Sequence, residues 1–104
     1  MKKEMTMEDF WKLKESSKLT IVDFYADWCV PCQSMKSIIH EVALEHEDKV
    51  DVYAANAEDL DELTLQMKVR NLPTILFIKN GDVIKRVAGT MTKDALIDLI
   101  NQLA

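Results

Sequence analysis

Cys29 and Cys32 are the only cysteines in the 104-residue chain, and they are spaced C-x-x-C. Three chemistries suit two thiols at that spacing: a structural disulfide, a metal site, or a redox couple. A bridge closing a loop of four residues stabilises by only about 2 kcal/mol in the chain-entropy account, so it is a poor staple. Zinc normally takes four ligands. The only histidines, His40 and His46, are six residues apart, which puts them off a common helix face. The redox reading needs nothing further, because thiols one helical turn apart can cycle between dithiol and disulfide.

The local sequence is Trp28-Cys29-Val30-Pro31-Cys32. Pro31 suits the first turn of a helix, where the missing N–H costs no ladder hydrogen bond. Cys29 then sits at a helix N-terminus, whose partial positive charge favours a thiolate. A thiol of pKa ~8.5 is about 3% ionised at pH 7, and lowering it to about 7 raises the thiolate roughly fifteenfold. Cys32, inside the first turn, is expected to be the more buried, resolving thiol.

The elements that must position this pair are legible in the apolar spacing. Thr6 with Asp9 three residues on forms a capping arrangement. It starts a helix over Met7 to Ser16 that is expected to bury Phe10, Trp11 and Leu13. Leu19 to Ala26 reads as a strand. Pro31 to Glu47 reads as a helix, with Met35, Ile38, Ile39, Val42 and Ala43 inward. Val50 to Ala55 is a strand, and Glu58 to Lys68 a helix facing inward with Leu60, Leu63 and Met67. Thr74 to Lys79 is a strand whose centre does not alternate, so both its faces must be covered. Asn80-Gly81 is a hairpin turn leading to a strand over Asp82 to Val87. Thr92 caps a last helix with Leu96, Leu99, Ile100 and Leu103 inward. Strand–helix–strand units pair in parallel and the hairpin adds an antiparallel strand. The expected class is α/β: one domain over residues 1–104, with a mixed central sheet flanked by helices on both faces. The cysteine pair falls at the carboxyl end of the first long strand, where open α/β sheets place their sites.

Composition narrows the function classes. Apolar residues make up 48% of the chain, charged residues 30%, and the formal net charge is −5. An acidic chain is a poor neutraliser of phosphates, so no nucleic-acid partner is expected. No apolar run reaches the length of a membrane span, and charges at Glu4, Glu8, Asp9, Lys12 and Lys14 break up any signal-peptide core. The expectation is a cytoplasmic monomer with no membrane partner, with prior removal of a leader left open.

These residues together resemble the thioredoxin family over nearly the whole chain. Ile21 to Cys32 resembles the family's strand followed by W-C-G-P-C. Arg70-Asn71-Leu72-Pro73-Thr74 resembles its I-P-T segment, Phe77 to Gly81 resembles its F-K-N-G hairpin, and Gly89 matches the glycine after it. The resemblance implies a thioredoxin fold and a cis bond between Leu72 and Pro73. It also implies a substrate surface at Trp28, Val30, Pro31, Leu72, Pro73 and Gly89, which would take an extended chain by strand addition.

Asp23 interrupts an apolar strand. By its own chemistry it fits either an edge position paired with a lysine or a functional buried carboxylate. The resemblance favours the second, with Asp23 exchanging protons with Cys32 through water.

Four positions depart from the family pattern. Val30 replaces a glycine and stiffens the mouth of the site, leaving the redox potential open in sign; about 1.4 kcal/mol of disulfide stability is worth about 30 mV. Ala54 stands where a lysine often lies near the buried aspartate. Gln33 replaces another lysine, and Asn71 a glycine. The N-terminal segment looks too short and charged for the family's full first strand, which is expected to be reduced or absent.

The expected activity is that of a protein-disulfide reductase, with Cys29, Cys32 and Asp23 catalytic and no bound cofactor or metal. Its partners would be disulfide-containing proteins and an NADPH-dependent thioredoxin reductase. The rivals are an oxidase or isomerase of an oxidising compartment, and a binding subunit with idle cysteines.

Overall fold

A computed structural model describes residues 2–104. The sequence explains where each element starts and stops. Strand β1 (Lys2–Glu4) is only three residues long, and it runs parallel to β3, Lys2 opposite Val52 and Glu4 opposite Ala54. The first strand is therefore reduced but present. Helix α1 (Met7–Lys12) opens on a complete capping box: the Thr6 hydroxyl accepts from the Asp9 amide at 3.1 Å, and the Asp9 carboxylate accepts from the Thr6 amide at 3.0 Å.

The α-helix ends earlier than the apolar spacing suggests and tightens into a 3-10 turn over Leu13–Glu15. Phe10 and Leu13 face the protein, but Trp11 is 64% exposed. Residues two apart on a helix point roughly 200° apart, so Trp11 and Leu13 cannot both reach the core.

Strand β2 (Leu19–Tyr25) is central and leads through a short turn into α2 (Val30–Glu45). Strand β3 (Val50–Asn56) follows. Helix α3 (Asp61–Gln66) is shorter than expected. The Asn56 side chain explains the lost turn: its Oδ1 accepts from the amides of Glu58 and Asp59 at 3.0 and 3.3 Å, holding residues 57–60 in turns. Strands β4 (Thr74–Lys79) and β5 (Asp82–Ala88) form the hairpin. Asn80 and Gly81 have φ of 55° and 83°, the pair of positive values a type I′ turn requires. Helix α4 (Lys93–Leu103) starts at Thr92, whose hydroxyl accepts from the Ala95 amide.

The sheet order is β1-β3-β2-β4-β5. β2 pairs in parallel with β3 and antiparallel with β4, and β4 pairs antiparallel with β5. Side chains alternate between two cores. Ile21, Ile75 and Phe77 pack with Met35, Ile39 and Val42 of α2 and Leu96 and Ile100 of α4. Val22, Phe24, Leu76 and Ile78 pack on the other face with Leu13, Leu63 and Met5. Covered faces on both sides account for the continuous apolar run in β4.

Candidate functional site

Cys29 is the N-cap of α2, with extended backbone angles, and Pro31 lies in the first turn. The Cys29 amide donates to the Ala26 carbonyl at 3.1 Å, which closes the turn leaving β2. The two cysteines are disulfide-bonded, with Cα atoms 5.3 Å apart. The Cys29 sulfur accepts a hydrogen bond from the Cys32 amide at 3.3 Å. Both cysteines are almost fully buried, at 4% and 3% exposure, so the expected difference in burial between them is absent from the disulfide form. What differs is their neighbours. Trp28 and Val30, flanking Cys29, are 68% and 78% exposed, whereas Cys32 lines a cleft on its inner side.

Leu72 packs against Ala26 and the cysteine pair, and the Leu72–Pro73 peptide bond is cis. Two hydrogen bonds hold this segment. The Pro73 carbonyl accepts from the Gly89 amide at 2.8 Å, and the Asn71 carbonyl accepts from the Thr74 hydroxyl. Gly89, with φ of 93°, thus bears on the segment through its backbone, as a tether for Pro73.

Asp23 is buried in mid-β2 and its Oδ1 has no hydrogen-bond partner. Burial pushes its carboxyl up to about 6, against a smaller opposing pull from Lys2. The neighbour across β3 is Ala54, in register, and the methyl leaves room beside the carboxylate. The resulting cleft is lined by Asp23, Cys32, Ala54, Lys36, Lys2 and Glu4. Its room for water, about 50 Å³, exceeds what one molecule needs.

Sequence reasoning passed over three of these residues. Lys2 and Glu4 enter because β1, though short, is paired. Lys36 sits one turn beyond Cys32 on α2, a cation the change at Gln33 did not remove. The Gln33 amide instead donates to the Asp27 carbonyl. The i, i+2 spacing of Lys2 and Glu4 was the available signal, since it puts both on one sheet face.

The thioredoxin family model matches residues 2–102. The chain belongs to the thioredoxin family. It is 37% identical over 95 residues to thioredoxin of Haemophilus influenzae, covering 90% of this chain and 89% of that one. It is 36% identical over 94 residues to the M-type chloroplastic thioredoxin of Spinacia oleracea, covering 88% of this chain and 52% of that protein. The chain therefore spans about half the length of some of the curated relatives it matches. The crystal structure of the germline-specific thioredoxin Deadhead from Drosophila melanogaster superposes with a TM-score of 0.87 at 32% identity, covering all of both chains. The five-stranded mixed sheet is a thioredoxin fold, and the bonded cysteines occupy the redox position of thioredoxins. Val30 gives this member an exposed β-branched residue between its cysteines.

Proposed function

We propose that this chain is a thiol–disulfide oxidoreductase that reduces disulfides in other proteins, working as a single domain and a monomer in the cytoplasm. In the reduced state the Cys29 thiolate attacks a substrate disulfide. The substrate S–S bond breaks, a mixed disulfide forms, and the departing thiolate takes a proton. Cys32 then gives its proton to the Asp23 carboxylate and attacks the Cys29 sulfur. The Cys29–Cys32 bond forms, the second substrate thiol leaves, and two electrons have passed to the substrate. Trp28, Val30, Pro31, Leu72 and Pro73 form the surface that receives the substrate chain, and Gly89 anchors Pro73. The oxidised pair is returned to the dithiol by an NADPH-dependent thioredoxin reductase, which makes the protein an electron carrier. Among the described residues no helix is long and apolar enough to cross a membrane.

The observation that carries this reading is the Cys29–Cys32 bond at a helix N-terminus, with an unpartnered carboxylate sharing the cleft of Cys32. Equilibration in graded glutathione or dithiothreitol buffers, followed by Trp28 fluorescence, tests it. A potential at or below the cytosolic glutathione poise is expected. A potential well above it would make the protein an oxidant or isomerase. An unchanged cellular phenotype after replacing both cysteines with serine would make it a binding subunit.

A further inference from the structure

The cleft beside Asp23 opens toward β1. Glu4, Ala54 and Asp23 form one row across three strands, Glu4 opposite Ala54 on β3 and Ala54 opposite Asp23 on β2. Residues in such a row project to the same sheet face, about 10 Å apart across two strand spacings. Lys2, two residues before Glu4, projects to that face as well. Ala54 is the residue between Glu4 and Asp23 in this row, and Lys2, Glu4 and Asp23 all line one cleft.

Glu4 is held in place. The Tyr25 hydroxyl donates to both of its carboxylate oxygens, at 2.8 and 3.0 Å. Burial and this bond push the Tyr25 hydroxyl up to about 12, so it stays a donor at working pH. The other ionisable groups lining the cleft are Asp27, just past β2, and Lys36 on α2.

We propose that the N-terminal strand sets the protonation of Asp23: Lys2 favours the ionised carboxylate, and Glu4, fixed by Tyr25, opposes it through the gap left by Ala54. Lys2 and Glu4 are positioning residues that touch neither thiol. The consequence for catalysis rests on the role of Asp23 as base for Cys32 proposed above, but the electrostatic statement does not. Two opposed charges make the base adjustable. Loss of Lys2 keeps a proton on Asp23 and slows the resolving step near neutral pH, and loss of Glu4 does the reverse. The directions agree with the influences on Asp23, which Lys2 lowers and Glu4 raises.

The test is the Asp23 carboxyl titration, followed by carbon-13 NMR in the oxidised protein, where no thiol titrates. Lys2→Gln is expected to raise the midpoint and Glu4→Gln to lower it. Each shift should lie between about 0.3 and about 1.2 pH units, the range for charges ~10 Å apart at an effective dielectric between ~80 and ~20. Glutamine at position 4 still accepts from Tyr25, so the wall of the cleft stays in place. The double variant should return near the parent value, and Lys36→Gln should move the midpoint less than Lys2→Gln. Shifts of the same sign in both single variants, or none beyond about 0.1 unit, overturn the proposal. The pH profile of single-turnover substrate reduction is the second readout, and its inflection should follow the midpoints. Midpoints that shift as stated under an unmoved rate profile uphold the tuning and overturn the role of Asp23 as base.

Discussion

The Cys32 amide donates to the Cys29 sulfur at 3.3 Å, so the proposed nucleophile is also the cap of its own helix. In the dithiol form the same amide and the helix N-terminus are expected to face the Cys29 sulfur. A hydrogen bond to an ionised acceptor is roughly twice as strong as one to a neutral acceptor. Cys29 is therefore expected to be the faster-alkylated thiol of the reduced protein, and Cys32, buried beside a carboxylate, the slower. Alkylation rates of the reduced protein against pH check both directions. Cys32→Ser should accumulate a stable mixed disulfide with substrate, visible by mass spectrometry, and Cys29→Ser should form none. A mixed disulfide on Cys32 in the Cys29→Ser protein would reverse the assignment.

Ionisation of Asp23 destabilises the fold. Burial raises its carboxyl from 3.8 to about 6, so between those values the native state binds more protons than the unfolded one. Stability then falls as pH rises through that window. The full shift corresponds to about 3 kcal/mol, present below the unfolded value and lost above the folded one. Asp23→Asn, which is neutral throughout, should stabilise the oxidised protein by up to about 3 kcal/mol at pH 8 and by little at pH 4. Urea unfolding at the two pH values measures this. The same variant should slow the release of substrate from the mixed disulfide, while the initial attack by Cys29 keeps most of its rate. Equal stabilisation at both pH values would show that the charge of Asp23 is not what burial penalises.

Strands β2 to β5 were legible because the strongest signals were local, but the direction of β4 was not: it runs antiparallel to β2, where the strand–helix–strand pattern suggested a parallel addition. The unbroken run at Ile75 to Ile78 demanded a doubly covered strand, and Asn80-Gly81 demanded a hairpin. The cysteine pair and Asp23 were legible because each breaks a pattern, one by type and spacing, the other as a charge in an apolar strand. Trp11 was misread because Leu13, two residues on, points roughly 200° away from it, so the helix that buries Leu13 turns Trp11 to solvent. Helix α3 lost its first turn to a side-chain bond from Asn56, which competes with helix at residues that otherwise look helical. The cleft was hidden for a different reason. Lys2, Glu4 and Lys36 meet Asp23 only through tertiary pairing, and a three-residue strand carries too little pattern to place itself.

The two glycines should differ sharply in their tolerance of alanine. Both have positive φ, 83° at Gly81 and 93° at Gly89, so each substitution costs about 1 kcal/mol of backbone strain. At Gly81 an added Cβ would also come 2.9 Å from the Lys14 Cα, a backbone atom of the turn after α1, which cannot swing aside. At Gly89 nothing lies within 4 Å of the added carbon. Gly81→Ala is expected to cost about 2–4 kcal/mol in urea unfolding, and Gly89→Ala about 1. Gly89→Ala should still lower the substrate reduction rate, because distortion there loosens the 2.8 Å bond to Pro73. Equal costs at the two positions would mean that the hairpin tip moves freely away from Lys14.

Thr6 and Asp9 form the remaining quantitative test, because their reciprocal bonds fix α1 against the end of β1. Thr6→Ala removes the acceptor of the Asp9 amide and should cost about 1 kcal/mol. Asp9→Ala removes the acceptor of the Thr6 amide and also the contact with Lys3 Nζ at 3.4 Å. The backbone bond from Thr6 holds the Asp9 carboxyl below its ordinary value, with Lys3 helping. A depressed carboxyl stabilises above its unfolded pKa and loses that contribution as pH falls through the folded one. The cost of Asp9→Ala should therefore be full at pH 7 and shrink below the ordinary carboxylate range. The cost of Thr6→Ala, a neutral change, should persist to lower pH. Urea unfolding of both variants at pH 7 and near pH 3 separates the two, and a cost of Asp9→Ala that is equal at both values would show that the charge of Asp9 contributes nothing.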